Sequence, residues 1–165
     1  MFEIKINTDT NFKSIISIAK EVWPITYGSI LSTEQLDYMM EMMYSIPSLQ
    51  EQVNNNKHHF IVATLDNLDI GFASYELNYT NLPICKIHKL YFLTAFQKKG
   101  FGEQLIQFIE EVSKKNNHLS ITLNVNRNNN AQYFYKKLGF SIDKEEDIDI
   151  GNGYLMEDYV MQKIL

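Results

Sequence analysis

The pattern of this chain predicts an α/β (α+β) fold, one domain over residues 1–165 with a mixed, mostly antiparallel central sheet and helices on both of its faces. Three observations predict it. Helical and β-prone stretches alternate with no linker, repeat or low-complexity tract long enough to divide them. The β-prone runs His59 to Thr64 and Asp69 to Asn78 flank the turn dipeptide Asp66-Asn67, so the sheet begins as an antiparallel meander. Later segments follow in the order strand, helix, strand, helix and two strands, an order that requires a crossover and hence a mixed sheet.

Glu3 to Ile6 reads as a short first strand. A helix from about Asn11 to Trp23 carries Phe12, Ile15, Ile16, Ala19 and Val22 on its apolar side. Ser32 or Thr33 caps a second helix, on which Leu36, Met39, Met40 and Met43 recur at i, i+3, i+4 and i+7. After the meander, Ile87 to Leu93 reads as a buried strand. Phe101, Leu105, Phe108, Ile109 and Val112 then mark one face of a helix. Leu119 to Val125 is β-prone, and the Asn-rich segment behind it suits a turn and helix cap. Gly139 suits a helix C-cap before the next strand. Phe140 to Lys144 and Leu155 to Ile164 complete the sheet, joined through Gly151-Asn152-Gly153.

At 45% hydrophobic residues the chain can bury one ordinary core. Ten Tyr and ten Phe set it apart from disordered chains, and no apolar run approaches the roughly 20 residues of a membrane span. A formal net charge of −5 argues against nucleic acid as a partner, since that affinity needs a concentrated basic face. Met1-Phe2-Glu3-Ile4-Lys5-Ile6 lacks the features of a secretory leader, and the single Cys85 has no internal disulfide partner. The expectation is a cytoplasmic protein free of membrane, with a homodimer left open.

The run Gln97-Lys98-Lys99-Gly100-Phe101-Gly102 lies at a strand-to-helix turn. There backbone N–H groups without intrahelical partners converge, the helix dipole adds partial positive charge, and glycines let an anion approach closely. A P-loop would end in Gly-Lys-Ser/Thr, but Glu103-Gln104 follow Gly102. A dinucleotide fingerprint needs a third glycine where Gln104 and Leu105 stand. What remains, Gln-x-x-Gly-x-Gly, resembles the acyl-CoA pyrophosphate loop of the GNAT N-acetyltransferase superfamily. The stretch from Asn128 to Phe140 resembles a second signature of that superfamily, Asn-x-x-Ala-x-x-Phe-Tyr-x-Lys-x-Gly-Phe, and follows the loop in the expected order.

The resemblance implies a GNAT-like fold and transfer of acetyl from acetyl-CoA, with no metal, to a small-molecule amine by direct attack in a ternary complex. It implies cofactor contacts from the main chain of Leu90, Tyr91 and Phe92, from the loop residues Gln97, Lys98, Lys99, Gly100, Phe101, Gly102 and Glu103, and from Asn128, Ala131 and Tyr135. In relatives the strand before the loop carries a bulge and splays from its neighbour, and the pantetheine arm lies in the gap. The Leu90 N–H would then stabilise the oxyanion and Tyr135 would protonate the departing thiolate. Read from its helix stripe alone, Tyr135 is a core aromatic with its hydroxyl satisfied locally. Lys98 and Lys99 could steer phosphate or remain a solvated pair.

An alkylammonium with a reference pKa of about 10.4 is neutral only roughly once in two thousand molecules at pH 7, so a base is needed. Many relatives place a glutamate where Lys86 stands here, so that role is not carried over. His88 is the nearest candidate, on the expectation that it shares a strand face with Leu90 and Phe92; a strand histidine bonded to a neighbour and a water chain are the alternatives. The segments Glu21 to Gly28 and Gly153 to Met161 resemble, more loosely, the polyamine-acetylating branch. Trp23, Tyr27 and Glu34 would bind the acceptor there, carboxylate attracting and aromatics packing a flexible cation, unless the acidic helix face carrying Glu34, Asp37 and Glu41 is simply solvated. Spermidine or spermine is the leading acceptor. Amino acids, amino sugars, antibiotics and protein N-termini or lysines are alternatives, as is a non-catalytic acyl-CoA sensor.

Overall fold

In the computed structural model, which describes residues Met1–Leu165, seven strands form one sheet. They are β1 (Phe2–Ile6), β2 (His58–Leu65), β3 (Leu68–Glu76), β4 (Ile84–Phe92), β5 (Ser120–Asn126), β6 (Ser141–Gly151) and β7 (Tyr154–Ile164), in the order β1-β2-β3-β4-β5-β7-β6. Every neighbouring pair is antiparallel except β4–β5. This is the mixed, mostly antiparallel sheet that the sequence predicts. Asp66 and Asn67 both take positive φ (48° and 67°), the tight-turn geometry that the β2–β3 hairpin needs.

Helices cover both faces, because the strands alternate two apolar sets. On one side α1 (Lys13–Tyr27), α2 (Thr33–Tyr44) and α3 (Ile46–Asn54) bury Ile15, Val22, Trp23, Met39 and Leu49 against Phe60, Val62 and Phe72. On the other, α4 (Phe101–Lys115) and α5 (Ala131–Lys137) bury Leu105, Ile109 and Tyr135 against Ile61, Ile87, Ile121 and Leu123. Ser32 is the N-cap of α2, its Oγ accepting from the Gln35 N–H at 3.1 Å. Two helical features depart from the sequence reading. The first helix continues through Pro24 to Tyr27, carrying Tyr27 toward the sheet. The helix α3 was not expected, although Ser45 caps it through the Ser48 N–H and Pro47 sits in its first turn.

The splitting of the sheet matters most for function. The parallel β4–β5 pairing runs from Ile84–Ser120 to Ile87–Leu123 and stops there, while both strands continue. At the same point β4 bulges: Tyr75 pairs with Ile87 and Ser74 with Lys89, leaving His88 as the extra residue. A bulge bends its strand, so β4 and β5 separate beyond Leu123 and open a gap in the sheet. Close packing holds β4 in this path. A Cβ on Gly71 would lie 2.4 Å from the ring of Phe92 on the paired strand. Gly71→Ala is therefore expected to lower stability by about 1–3 kcal/mol, the usual cost of overpacking a core, read as a fall in the thermal midpoint.

Candidate active site

The gap is the floor of one cavity of about 610 Å³ that meets both faces of the sheet. From the α4–α5 side it is lined by Leu90, Phe92, Phe134 and Tyr135, and by Gln97, Lys98, Gly100 and Gly102 of the loop. From the α1–α2 side it is lined by Trp23, Tyr27, Met39, Tyr91, Met156 and Asp158. Asn124, Asn126, Asn128 and Ala131 form the rim where β5 turns into α5. A ligand can enter from each face and meet the other at the split.

Main-chain donors aim into this gap. The Leu93 N–H donates to the Ile70 carbonyl at 2.9 Å, which makes Gly71–Phe92 a non-hydrogen-bonded pair of the antiparallel ladder. By alternation Phe72–Tyr91 carries the ladder bonds and Ala73–Leu90 does not. The N–H and C=O groups of Leu90 and Phe92 thus point away from β3, and beyond Leu123 no strand meets them. Gln97 uses one of these groups: its Nε2 donates to the Phe92 carbonyl at 2.9 Å, bracing the loop against the strand.

The loop has the donor chemistry of an anion cradle. None of the backbone N–H groups from Lys98 to Glu103 donates to a protein acceptor, and the first loop bond is Gln104 N–H to the Gly100 carbonyl. Lys98 and Gly100 take positive φ (60° and 84°), curling the chain so that successive N–H groups converge at the start of α4. Nothing lies within 4 Å of where a Gly100 Cβ would be, so glycine serves the backbone angle and leaves the approach open. This donor set fits a diphosphate.

Not every residue expected at the cofactor lies on the cavity wall. Gln97, Lys98, Gly100, Gly102, Asn128, Ala131 and Tyr135 do, together with Leu90, Tyr91 and Phe92. Phe101 instead stacks on Phe2 at 4.9 Å, Lys99 covers the Phe96 ring, and the Glu103 carboxylate accepts from Gln107. Lys99 and Glu103 are exposed, and Phe101 packs toward Phe92 and the core of the sheet. Tyr135 is buried, and burial, reinforced by the nearby Tyr27, holds its phenol well above its usual range. It therefore remains protonated across the neutral range and donates to no protein acceptor.

On the α1–α2 side, Trp23, Tyr27 and Tyr91 form an aromatic wall, with the Tyr27 and Tyr91 hydroxyls 3.0 Å apart and the Trp23 Nε1–H donating to the Tyr44 hydroxyl at 3.2 Å. Glu34 is not part of it. It lies exposed in the first turn of α2, where its charge complements the helix dipole, and Asp37 and Glu41 are exposed as well. The acidic face of α2 is solvated.

His88 is also corrected. The bulge reverses the period-2 alternation, so His88 shares a face with Lys89 and Tyr91, opposite to Leu90 and Phe92. Its ring stacks on His58 with centroids 3.8 Å apart, and its Nε2 lies 2.9 Å from a Glu76 carboxylate oxygen. Burial, then the charges of His58, Lys89 and Lys86, hold His88 well below the usual histidine range, while burial raises Glu76. Burial keeps the imidazole neutral, and its Nε2 and the Glu76 carboxyl share one hydrogen bond. His58 is pushed down to about 4 by the same burial.

A buried carboxylate escaped the sequence reading as a site residue. Asp158 on β7 is 2% exposed, lines the cavity, and is raised by burial above the usual carboxylate range. Asn124 on β5 holds it, donating through Nδ2 to Asp158 Oδ2 at 3.2 Å and to Glu146 at 3.3 Å while accepting from Lys86. Only the run Met156-Glu157-Asp158 hinted at it, and its alternation there does not reveal which acid faces in.

A family model of the acetyltransferase (GNAT) domain matches residues 56–142, more than half of the chain. The chain is 28% identical over 160 residues to a spermidine N(1)-acetyltransferase of Thermoplasma acidophilum, covering 94% of this chain and 95% of that one. It superposes with a TM-score of 0.83 and 26% identity on the PaiA N-acetyltransferase of Thermoplasma acidophilum in complex with coenzyme A, over 100% of this chain and 99% of that one. A GCN5-related N-acetyltransferase structure from Rhodopseudomonas palustris shares the fold at a TM-score of 0.83 and 20% identity, over 99% and 95% of the two chains.

Proposed function

Because the chain belongs to the GNAT acetyltransferase family and is thereby an acetyl-CoA-dependent acyltransferase, we propose that its acceptor is a small alkylamine, with a polyamine such as spermidine foremost. The observation that carries this is the single cavity reaching both faces through the split between β4 and β5. The diphosphate of the donor lies on the N–H groups of the Lys98–Glu103 turn, and its arm fills the gap beside Leu90 and Phe92, with Asn128 at the rim. The acceptor enters from the wall of Trp23, Tyr27 and Tyr91, where aromatic faces pack methylenes and attract a cation. The amine attacks the thioester carbonyl carbon. The Leu90 N–H receives the developing oxyanion, a contribution typically worth about 2.7–4 kcal/mol. As the C–S bond breaks, the Tyr135 hydroxyl gives its proton to the sulfur.

The likeness to a spermidine acetyltransferase supports the polyamine, as does a cavity lined by both carboxylate and aromatic groups. The test is thiol release from acetyl-CoA across spermidine, spermine, simple monoamines, amino acids, aminoglycosides and a lysine peptide. Turnover of spermidine and spermine well above the rest is expected. Turnover led by another amine would discard the polyamine and keep the transfer chemistry.

A further inference from the structure

Resting on the reading of this cleft as an acetyl-transfer site, we propose that Asp158 is the catalytic carboxylate of the acceptor side, pairing with the acceptor's ammonium and taking the proton that must leave before attack. Asp158 is 2% exposed, and one of its oxygens, Oδ2, is tied to Asn124 Nδ2 at 3.2 Å. The other, Oδ1, has no protein donor, and the residue borders the cavity beside Tyr27 and Met156.

No protein cation pairs with this carboxylate. Lys86 reaches it only through the Asn124 amide oxygen, Lys144 pairs with Glu146 at 3.7 Å, and Arg127 is occupied by Glu145 and Asp147. A buried carboxylate without an ion partner is costly unless a ligand supplies the charge. The Asn124 clamp fixes one oxygen and leaves the other to the cavity. It thereby sets the carboxylate's direction, as a positioning residue.

The chemistry balances. The ammonium gives one proton to Asp158, and the neutral nitrogen forms the C–N bond at the thioester carbon. As the C–S bond breaks, Tyr135 protonates the departing sulfur and the nitrogen's second proton restores the Tyr135 hydroxyl, and Asp158 later returns its own proton to water. Burial narrows the proton-affinity gap from both sides, since it raises the carboxyl and favours the neutral form of the amine. The groups that face Asp158 and share its titration are Lys86 on β4, Glu146 on β6, Arg127 after β5 and Tyr27 on α1. His88 lies on the same face and also borders the cavity, but its Nε2 is engaged by Glu76 at 2.9 Å.

The experiment compares alkylamines with hydroxylamine, which is uncharged at neutral pH and needs no deprotonation. Asp158→Asn is expected to lower kcat/KM for alkylamines by about a hundredfold or more, the range of general base catalysis, while hydroxylamine turnover and coenzyme A affinity stay unchanged. Its alkylamine rate should then climb about tenfold per pH unit toward the amine's own pKa, because only free amine reacts. Wild-type alkylamine kinetics in Asp158→Asn, or an equal loss with hydroxylamine, overturn the assignment. If that variant does not fold, Asp158→Glu carries the same comparison, displacing the carboxylate by one methylene; parallel effects on the two nucleophiles overturn it again. A wild type active on monoamines but not polyamines removes the polyamine reading and leaves this test intact. A wild type that acetylates hydroxylamine but no alkylamine overturns the role of Asp158.

Discussion

Replacing Tyr135 by Phe is expected to lower kcat by about 10²- to 10³-fold, within the usual contribution of a general acid, with coenzyme A affinity unchanged. The ring is the reason that the two effects separate. It packs against Phe134 and Phe140 and belongs to the α4–α5 core, contacts that phenylalanine reproduces, while the residue also lines the cleft. The phenol is a weaker acid than an exposed tyrosine, because burial penalises its anion. The same apolar setting penalises a free thiolate, so proton transfer to sulfur gains driving force when the C–S bond breaks. Steady-state kinetics paired with equilibrium titration of coenzyme A check this. Unchanged kcat would remove the hydroxyl from the chemistry, and a matching fall in coenzyme affinity would reduce Tyr135 to a packing residue.

Lys89→Met is expected to stabilise the protein at pH 6 by an amount of the order of a few kcal/mol, and the advantage should shrink as the pH rises. Lys89 is 7% exposed, with its Nζ donating to the Gln52 amide oxygen at 2.5 Å between the rings of Tyr44 and Phe60. Burial pushes it down from 10.5 to about 7. Between those values the unfolded chain holds a proton that the native chain lacks, so native stability rises with pH across the window and is flat below it. Methionine removes the buried charge and keeps most of the volume, at the cost of an unpartnered Gln52 oxygen worth about 1–3 kcal/mol. Lys86, pushed by burial to about 8, has the same sign, so the variant's slope decreases without vanishing. Urea unfolding at pH 6, 8 and 9.5 measures it. Equal stability curves for parent and variant would show that Lys89 keeps its proton in the fold.

Much of the fold was legible because its signals are local. The Asp66-Asn67 turn, the Ser32 cap and the stripe along α4 each depend on residues within a few positions of one another. The cradle was legible for the same reason, since a strand-to-helix turn with Gly100 needs only its own backbone to gather N–H groups. The helix α3 is also written locally, in the Ser45 cap and in Pro47 of its first turn.

The α1–α2 side of the cavity was not legible, for a physical reason. A bulge is one residue's choice between two faces, and the sequence around Ile87-His88-Lys89 alternates equally well in either register; only the pairing of Ser74 with Lys89 decides it. That decision turned His88 away from Leu90. Likewise Glu34 and Asp158 are both acids near aromatic residues, and which one is buried depends on α2 exposing its first turn and on β7 pairing with β5. By itself the sequence determined the family, the glycine turn that opens α4 and the helix bearing Tyr135, because those are short, ordered motifs. Only the tertiary structure decided where the sheet splits and which charged groups lie buried beside the split, because burial is a property of neighbours far away along the chain.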